Sequence, residues 1–267
     1  MAPYRPRMRF AVNLPPFADA HEVLDLMLSV EEHGWDGVFL WDHLQWRADH
    51  PVHDPWALLS AAAVRTERVM LGTCVTPLSR RRPFGLAKQV ATLDHLSRGR
   101  VMLGVGLGEP PDADFADLGD EDDPRIRATI LDEALAVVDP LLRGERVDHD
   151  GEHFTIHGRA RPASVQDPRP PIFVAGVAPN RRPLERARRW DGFFPISPDG
   201  PLSPQLLADY VGDAERPDGW DLFVGPTEEY DPADYGAVGA TWIVEGTWPV
   251  GDWMAELTAR VADGPPR

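Results

Sequence analysis

Asp42 and His43 stand side by side in the run WDHLQW, directly after the apolar stretch GVFL. An imidazole that titrates near neutrality suits general acid–base work, so His43 is a candidate proton carrier. Its competing role is a structural histidine hydrogen-bonded within a loop. A second candidate set is GVGLGEPPD, which holds Gly106, Gly108, Glu109 and Asp112. Its glycines resemble a dinucleotide fingerprint, but Glu109-Pro110-Pro111 follows where a helix should start, so a Rossmann phosphate grip is not expected. Two readings remain for the glycines: a backbone that lets something flat approach closely, or a tight strand exit. His50, His53 and Asp54 in HPVHDP match neither a helical HExxH pattern nor a compact carboxylate–histidine set, so no metal is expected there. Arg80, Arg81 and Arg82, with Arg181 and Arg182, either grip a phosphate or carboxylate or are surface arginines.

These residues need a frame. Apolar runs at Met8–Asn13, Gly37–Trp41, Val69–Val75, Val101–Val105, Ile172–Ala175, Gly192–Pro195, Asp221–Gly225 and Ala240–Val244 read as strands. They lack strict alternation, which suits burial on both faces of a parallel sheet. Between them, the spacing predicts helices over Ala20–His33, from Asp54 to Thr66, Pro83–Ser97, from Asp123 to Leu142, Arg182–Trp190, Ser203–Ala214, Pro232–Val238 and Gly251–Val261. Asp19, Asp54 and Asp123 supply N-caps. Eight strand–helix units predict a (β/α)8 TIM barrel, one domain spanning residues 1–267. ERVDHDGEHFTIHG reads as a β-hairpin turning at Asp150-Gly151, inserted before the fifth barrel strand. The run DADFADLGDEDD carries seven acids in twelve residues and reads as a solvated loop. Active sites of such barrels sit at the C-terminal strand ends. Those ends bring Asn13, Asp42, His43, Trp46, Thr73, Cys74, Gly106, Glu109, Gly176 and Arg181 to one face.

Composition removes other classes. The chain has 267 residues, a net charge of −16, one cysteine, 23 glycines and 28 prolines. A lone Cys74 excludes an internal disulfide framework and a multi-cysteine zinc site. The one lysine, Lys88, falls mid-helix and does not suit Schiff-base chemistry. The acidic balance opposes nucleic acid and anionic membranes as partners. No apolar stretch is long enough for a transmembrane helix, and MAPYRPRMRFAVNLPPF has no secretory h-region, which points to the cytoplasm.

The chain resembles the bacterial luciferase-like monooxygenases. The block DPWALLSAAAVRTERVMLGTCVTPLSRRRPFGLAKQVATLDHLSRGRVMLGVGLGE carries most of the likeness. GERVDHDGEHF, PPIFVAGVAPNRRPLERARRWDGFFP and VGATWIVE follow in family order. The resemblance implies a TIM barrel that binds FMN or the deazaflavin coenzyme F420. It places a non-prolyl cis peptide at Cys74–Val75, behind the ring. It implies that Asp42 hydrogen-bonds the ring system, that His43 acts as base beside the substrate, and that Glu109 donates a proton. Trp46 falls on the substrate side. Asn13, Thr73, Cys74, Val75, Gly106 and Gly108 would line the cofactor. Gly176, Val177 and Arg181 fall where its phosphate and tail are held. Asp112 stands where a ring-contacting amide is found in relatives, an acid in its place.

The resulting expectation is an oxidoreductase that acts on a small organic substrate by hydride transfer or monooxygenation. The likeness of Asp42-His43 and Glu109 to residues of the family's deazaflavin-dependent members implies F420 over FMN. The resemblance leaves a homodimer open. Two rivals remain: a flavin-binding barrel without turnover, and a metal-dependent hydrolase using His43, His50 and His53.

Overall fold

The computed structural model describes residues 7–46, 50–198, 200–212, 216–225 and 229–266. Short polar side chains start its helices. Asp19 accepts from the backbone N–H of His21 at 2.9 Å and opens α1 (Ala20–Glu32). Asp54 caps α2 (Pro55–Ala63) through Ala57 N at 2.8 Å, and Asp123 caps α4 (Pro124–Leu142) through Arg125 N at 2.7 Å. Pro83 opens α3 (Pro83–Ser97). The later helices are α5 (Arg181–Ala187), α6 (Pro204–Val211), α7 (Pro232–Ala237) and α8 (Trp253–Asp263). Ala214, the expected end of α6, lies outside the described residues.

Strands alternate with these helices: β1 (Arg9–Leu14), β2 (Gly37–Leu40), β3 (Met70–Pro77), β4 (Val101–Gly106), β5 (Arg146–Asp150), β6 (Thr155–Arg159), β7 (Ile172–Val177), β8 (Gly192–Ile196), β9 (Asp221–Val224) and β10 (Trp242–Gly246). Eight of them close a parallel barrel in the order β1-β10-β9-β8-β7-β4-β3-β2. Every residue of β2 and β4 is buried, as the unbroken apolar runs require. β5 and β6 form the expected hairpin between α4 and β7. Its turn differs from the expectation. Asp150 still pairs with Thr155, and residues 151–154 make the connection. The physical reason is Glu133 of α4, whose carboxylate accepts from the backbone of His153 (3.0 Å) and Phe154 (2.8 Å) and so stabilises a four-residue loop.

Two apolar layers hold the barrel. The outer one lies between strands and helices. The inner one is aromatic: Phe39, Phe173, Phe223 and Trp242 are almost fully buried inside the strands. The Phe173 and Phe223 rings stack at 4.3 Å, and Phe223 and Trp242 at 5.7 Å. Gly104 makes room for this column, since a Cβ there would lie 2.4 Å from the Phe173 ring. The turn LSRGR has a structural task at the opposite end from the strand C-termini. Arg98 ends α3 in the left-handed region (φ 57°). Buried Arg100 then binds the carbonyls of Ala63, Thr66, Val69 and Ser97, tying the α2–β3 connection to β4. Among the described residues no helix is long and apolar enough to cross a membrane.

Candidate active site

At the C-terminal end of β3 the parallel pairing with β4 slips between Thr73 and Thr76. The slip expels Cys74 and Val75 from the ladder, and the peptide bond between them is cis, where the resemblance assigns it. Both side chains rest on the inner aromatic layer. Cys74 is half-buried, and desolvation pushes its thiol far above its ordinary pKa, so it stays protonated and is a poor nucleophile. Asn13, at the end of β1, donates from Nδ2 to the Cys74 carbonyl at 3.4 Å. Its Oδ1 is buried and has no hydrogen-bond partner among the described residues. That orphaned acceptor beside the bulge fits the N–H-bearing edge of a flavin or deazaflavin ring.

His43 sits on the next rim segment, after β2. Its Nδ1 lies 3.1 Å from Oδ2 of Asp114, a fully buried acid of the β4–α4 connection. Asp114 Oδ1 accepts from the backbone N–H of Leu44 (2.7 Å) and Gln45 (3.3 Å). Arg80, after β3, adds a guanidinium to Asp114 Oδ2 and to Asp42. Burial pushes the Asp114 carboxyl up. Hydrogen bonding from His43, the Arg80 charge and the Leu44 N–H reverse this, so its pKa lies below the ordinary carboxylate value. An ionised Asp114 only accepts, so Nδ1 of His43 carries the hydrogen. Nε2 is then the basic nitrogen, and it has no hydrogen-bond partner among the described residues.

Asp42 is 1% exposed. Its Oδ1 accepts from Arg81 (2.6 Å) and Arg80 (3.2 Å), and its Oδ2 from Thr76 (2.8 Å) and Trp56 (3.3 Å). The carboxylate is therefore engaged inside the protein, not presented to a ring. Arg80 and Arg81 are likewise interior partners of acids, not a phosphate grip or free surface arginines. Thr73 is buried and donates to the Gly104 carbonyl at 3.2 Å. Protein atoms crowd two of the glycines. A Cβ on Gly106 would lie 2.7 Å from Val75 Cγ2, and one on Gly176 would lie 2.1 Å from Pro183 Cβ. Gly108 has φ +83°, which favours glycine, and packs under Phe115 and Pro77. Glu109 is exposed, and its carboxylate makes no hydrogen bond or ion pair among the described residues. Asp112 is exposed. Val177 ends β7 opposite Ile196 of β8, both partly exposed. Arg181 donates to the Tyr210 carbonyl at 2.5 Å and lies over that ring.

An aromatic wall completes the mouth. Trp46 touches His43 with ring centroids 4.8 Å apart. Phe17, Trp41 and Trp248 extend the cluster across the adjacent strands β2, β1 and β10. His50 stacks on Phe17 at 6.0 Å. Among the described residues no group of three His, Cys, Asp or Glu side chains could hold a metal ion. Sequence reasoning missed Asp114, Arg80 as its partner, Phe17, Trp41 and Trp248. The acidic run was expected to be solvated throughout, yet Ala113, Asp114 and Phe115 are buried in it. The phenylalanine beside Asp114 was the available signal that this part of the run folds inward.

Known proteins resemble the chain in sequence and in fold. The chain is 37% identical over 251 residues to an F420-dependent glucose-6-phosphate dehydrogenase of Beutenbergia cavernae, covering 88% of this chain and 71% of that one. A protein of the same name in Nakamurella multipartita is 38% identical, but the chain spans only 53% of its length. The fold matches a solved F420-dependent secondary alcohol dehydrogenase in complex with an F420-acetone adduct, with TM-score 0.75, 17% identity, and 96% and 98% of the two chains covered. The family described as luciferase-like monooxygenase matches residues 8–227. With that span and the Beutenbergia likeness together, the chain belongs to the luciferase-like monooxygenase family.

Proposed function

We propose that the protein is an F420-dependent oxidoreductase that moves a hydride between the cofactor and a small organic substrate, with His43 handling the substrate proton. The observation that carries this reading is the pairing of two features at one barrel mouth. One is the Cys74–Val75 bulge with the orphaned Asn13 Oδ1; the other is His43, held by Asp114 with Nε2 unengaged. The names of the relatives favour F420 over FMN.

The cofactor, when bound, supplies a carbon that accepts or returns a hydride. Asn13 would hold the ring edge through its unpaired oxygen, with Cys74 and Val75 behind the ring. Arg181, set by Tyr210, would meet the anionic tail. Nε2 of His43 takes the hydroxyl proton as an alcohol is oxidised, and returns it to the oxygen in the reverse direction. The exposed carboxyl of Glu109 would be the second proton carrier at this face. Asp42 acts through others. It anchors Arg80 and Arg81, and Arg80 in turn fixes Asp114. The cytoplasm suits the lone protonated thiol.

Tryptophan quenching tests the reading, because Trp41 and Trp46 line the mouth. The protein is titrated with F420 and with FMN, each oxidised and reduced. Saturable quenching by F420 at micromolar concentration is expected. Failure of both cofactors to bind overturns the proposal, and tight binding of FMN alone reassigns the cofactor.

A further inference from the structure

The aromatic wall has a composition that hydride transfer alone does not require. It is continuous over β2, β1 and β10, the sector of the rim adjoining the β3 bulge. Trp41 and Trp248 meet edge to face at 5.6 Å, and Trp46 tilts against Trp248 at 6.5 Å. Trp248 itself is 67% exposed, and Val250 (70%) and Leu44 (52%) also follow strands at this rim. A cluster of exposed large apolar side chains at the edge of a candidate site marks a surface that gains by being covered. Its inner end is His43, in contact with Trp41 and Trp46. A molecule lying on the wall therefore has its inner end at the His43 ring.

Charge at this face points the same way. Arg80 and Arg81 are spent on Asp42 and Asp114. The neighbouring β4–α4 connection exposes Glu109, Asp112, Asp117, Asp120, Asp122 and Asp123. A dianionic phosphate approaching across that connection meets like charge, which an uncharged molecule does not.

We propose that the substrate of this site is an uncharged alcohol, or the matching ketone, whose non-reacting part is a flat or alicyclic apolar body seated on Trp46 and Trp248. The inference rests on the oxidoreductase reading above and names its substrate class. In the oxidation direction the C–H bond breaks, its electron pair leaves as hydride to the deazaflavin, and the O–H proton goes to His43 Nε2. The carbon–oxygen double bond forms and the ketone departs.

The test separates this inference from the reading beneath it. Acetophenone and glucose 6-phosphate are titrated into F420-loaded and cofactor-free protein by calorimetry, for the wild type, Trp248→Ala and Trp248→Phe. Turnover of 1-phenylethanol, cyclohexanol and glucose 6-phosphate is compared on the loaded protein. Acetophenone is expected to bind saturably, Trp248→Ala to weaken it about ten-fold, and Trp248→Phe to restore most of the loss. A larger kcat/KM for glucose 6-phosphate than for either apolar alcohol overturns the proposal. Unchanged acetophenone affinity in Trp248→Ala overturns it as well. If F420 itself fails to bind, the oxidoreductase reading falls first, and the quenching titration reports that separately.

Discussion

Nδ1 of His43 and Oδ2 of Asp114 lie 3.1 Å apart although 71 residues separate them in the chain. The contact fixes which imidazole nitrogen is basic. His43→Ala should leave cofactor affinity unchanged and lower kcat about 100-fold or more, the usual loss when acid–base help is removed. Asp114→Asn should lower kcat by a similar factor without emptying the site, because an amide can present N–H to Nδ1 and favour the wrong tautomer. Steady-state kinetics beside a cofactor titration checks both. Wild-type turnover in Asp114→Asn would show that the carboxylate does not govern His43.

Acid stability should carry the signature of Asp114. Its folded pKa is lowered, so the unfolded chain binds its proton more readily than the folded one. The stabilisation is therefore complete above the ordinary aspartate value of about 3.9 and is lost as pH falls through the lower folded value. Thermal unfolding followed from pH 7 down to pH 3 should fall more steeply for the wild type than for Asp114→Asn. At pH 7 the variant should be less stable by roughly 3–5 kcal/mol, because Arg80 loses a buried partner. Parallel acid limbs for the two proteins would contradict this assignment.

The β3 bulge invites a steric probe. Cys74→Trp places a large ring where the proposed cofactor rests and should abolish quenching by F420. Far-ultraviolet circular dichroism would verify that the barrel survives. Normal F420 binding by a folded Cys74→Trp protein would place the ring elsewhere.

Arg100 offers a contrast far from the mouth. Arg100→Ala leaves four carbonyls and the Thr66 hydroxyl without this donor in a buried connection. A loss of roughly 3–5 kcal/mol in denaturant unfolding is expected, on the scale of breaking a buried charged network. The protein that remains folded should keep its cofactor affinity, since this residue lies at the other end of the strands.

How much of this was legible in the chain follows from range. Helix starts are local, so Asp19, Asp54 and Asp123 announced them, and the unbroken runs of β2 and β4 announced a parallel sheet. His43 was legible because it follows a strand end. Asp114 was not: counting charge treats seven acids alike, and the one that folds inward is selected by Arg80, 34 residues earlier. The neighbours of the glycines were hidden for the same reason. Gly106 and Gly176 are small because Val75 and Pro183 occupy the space beside them, and no local spacing reveals those neighbours. The hairpin turn was displaced by Glu133, which lies on another element.

Phe39, Phe173, Phe223 and Trp242 stopper the barrel from beneath, so its mouth can be reached from one side alone. Where one ligand lies over another, such loading is sequential: the lower arrives first and departs last. A cofactor lodged on Cys74 and Val75 would thus be the leading reactant, and a compound resting on Trp248 the trailing one, giving an ordered rate law with the organic product released before the spent coenzyme.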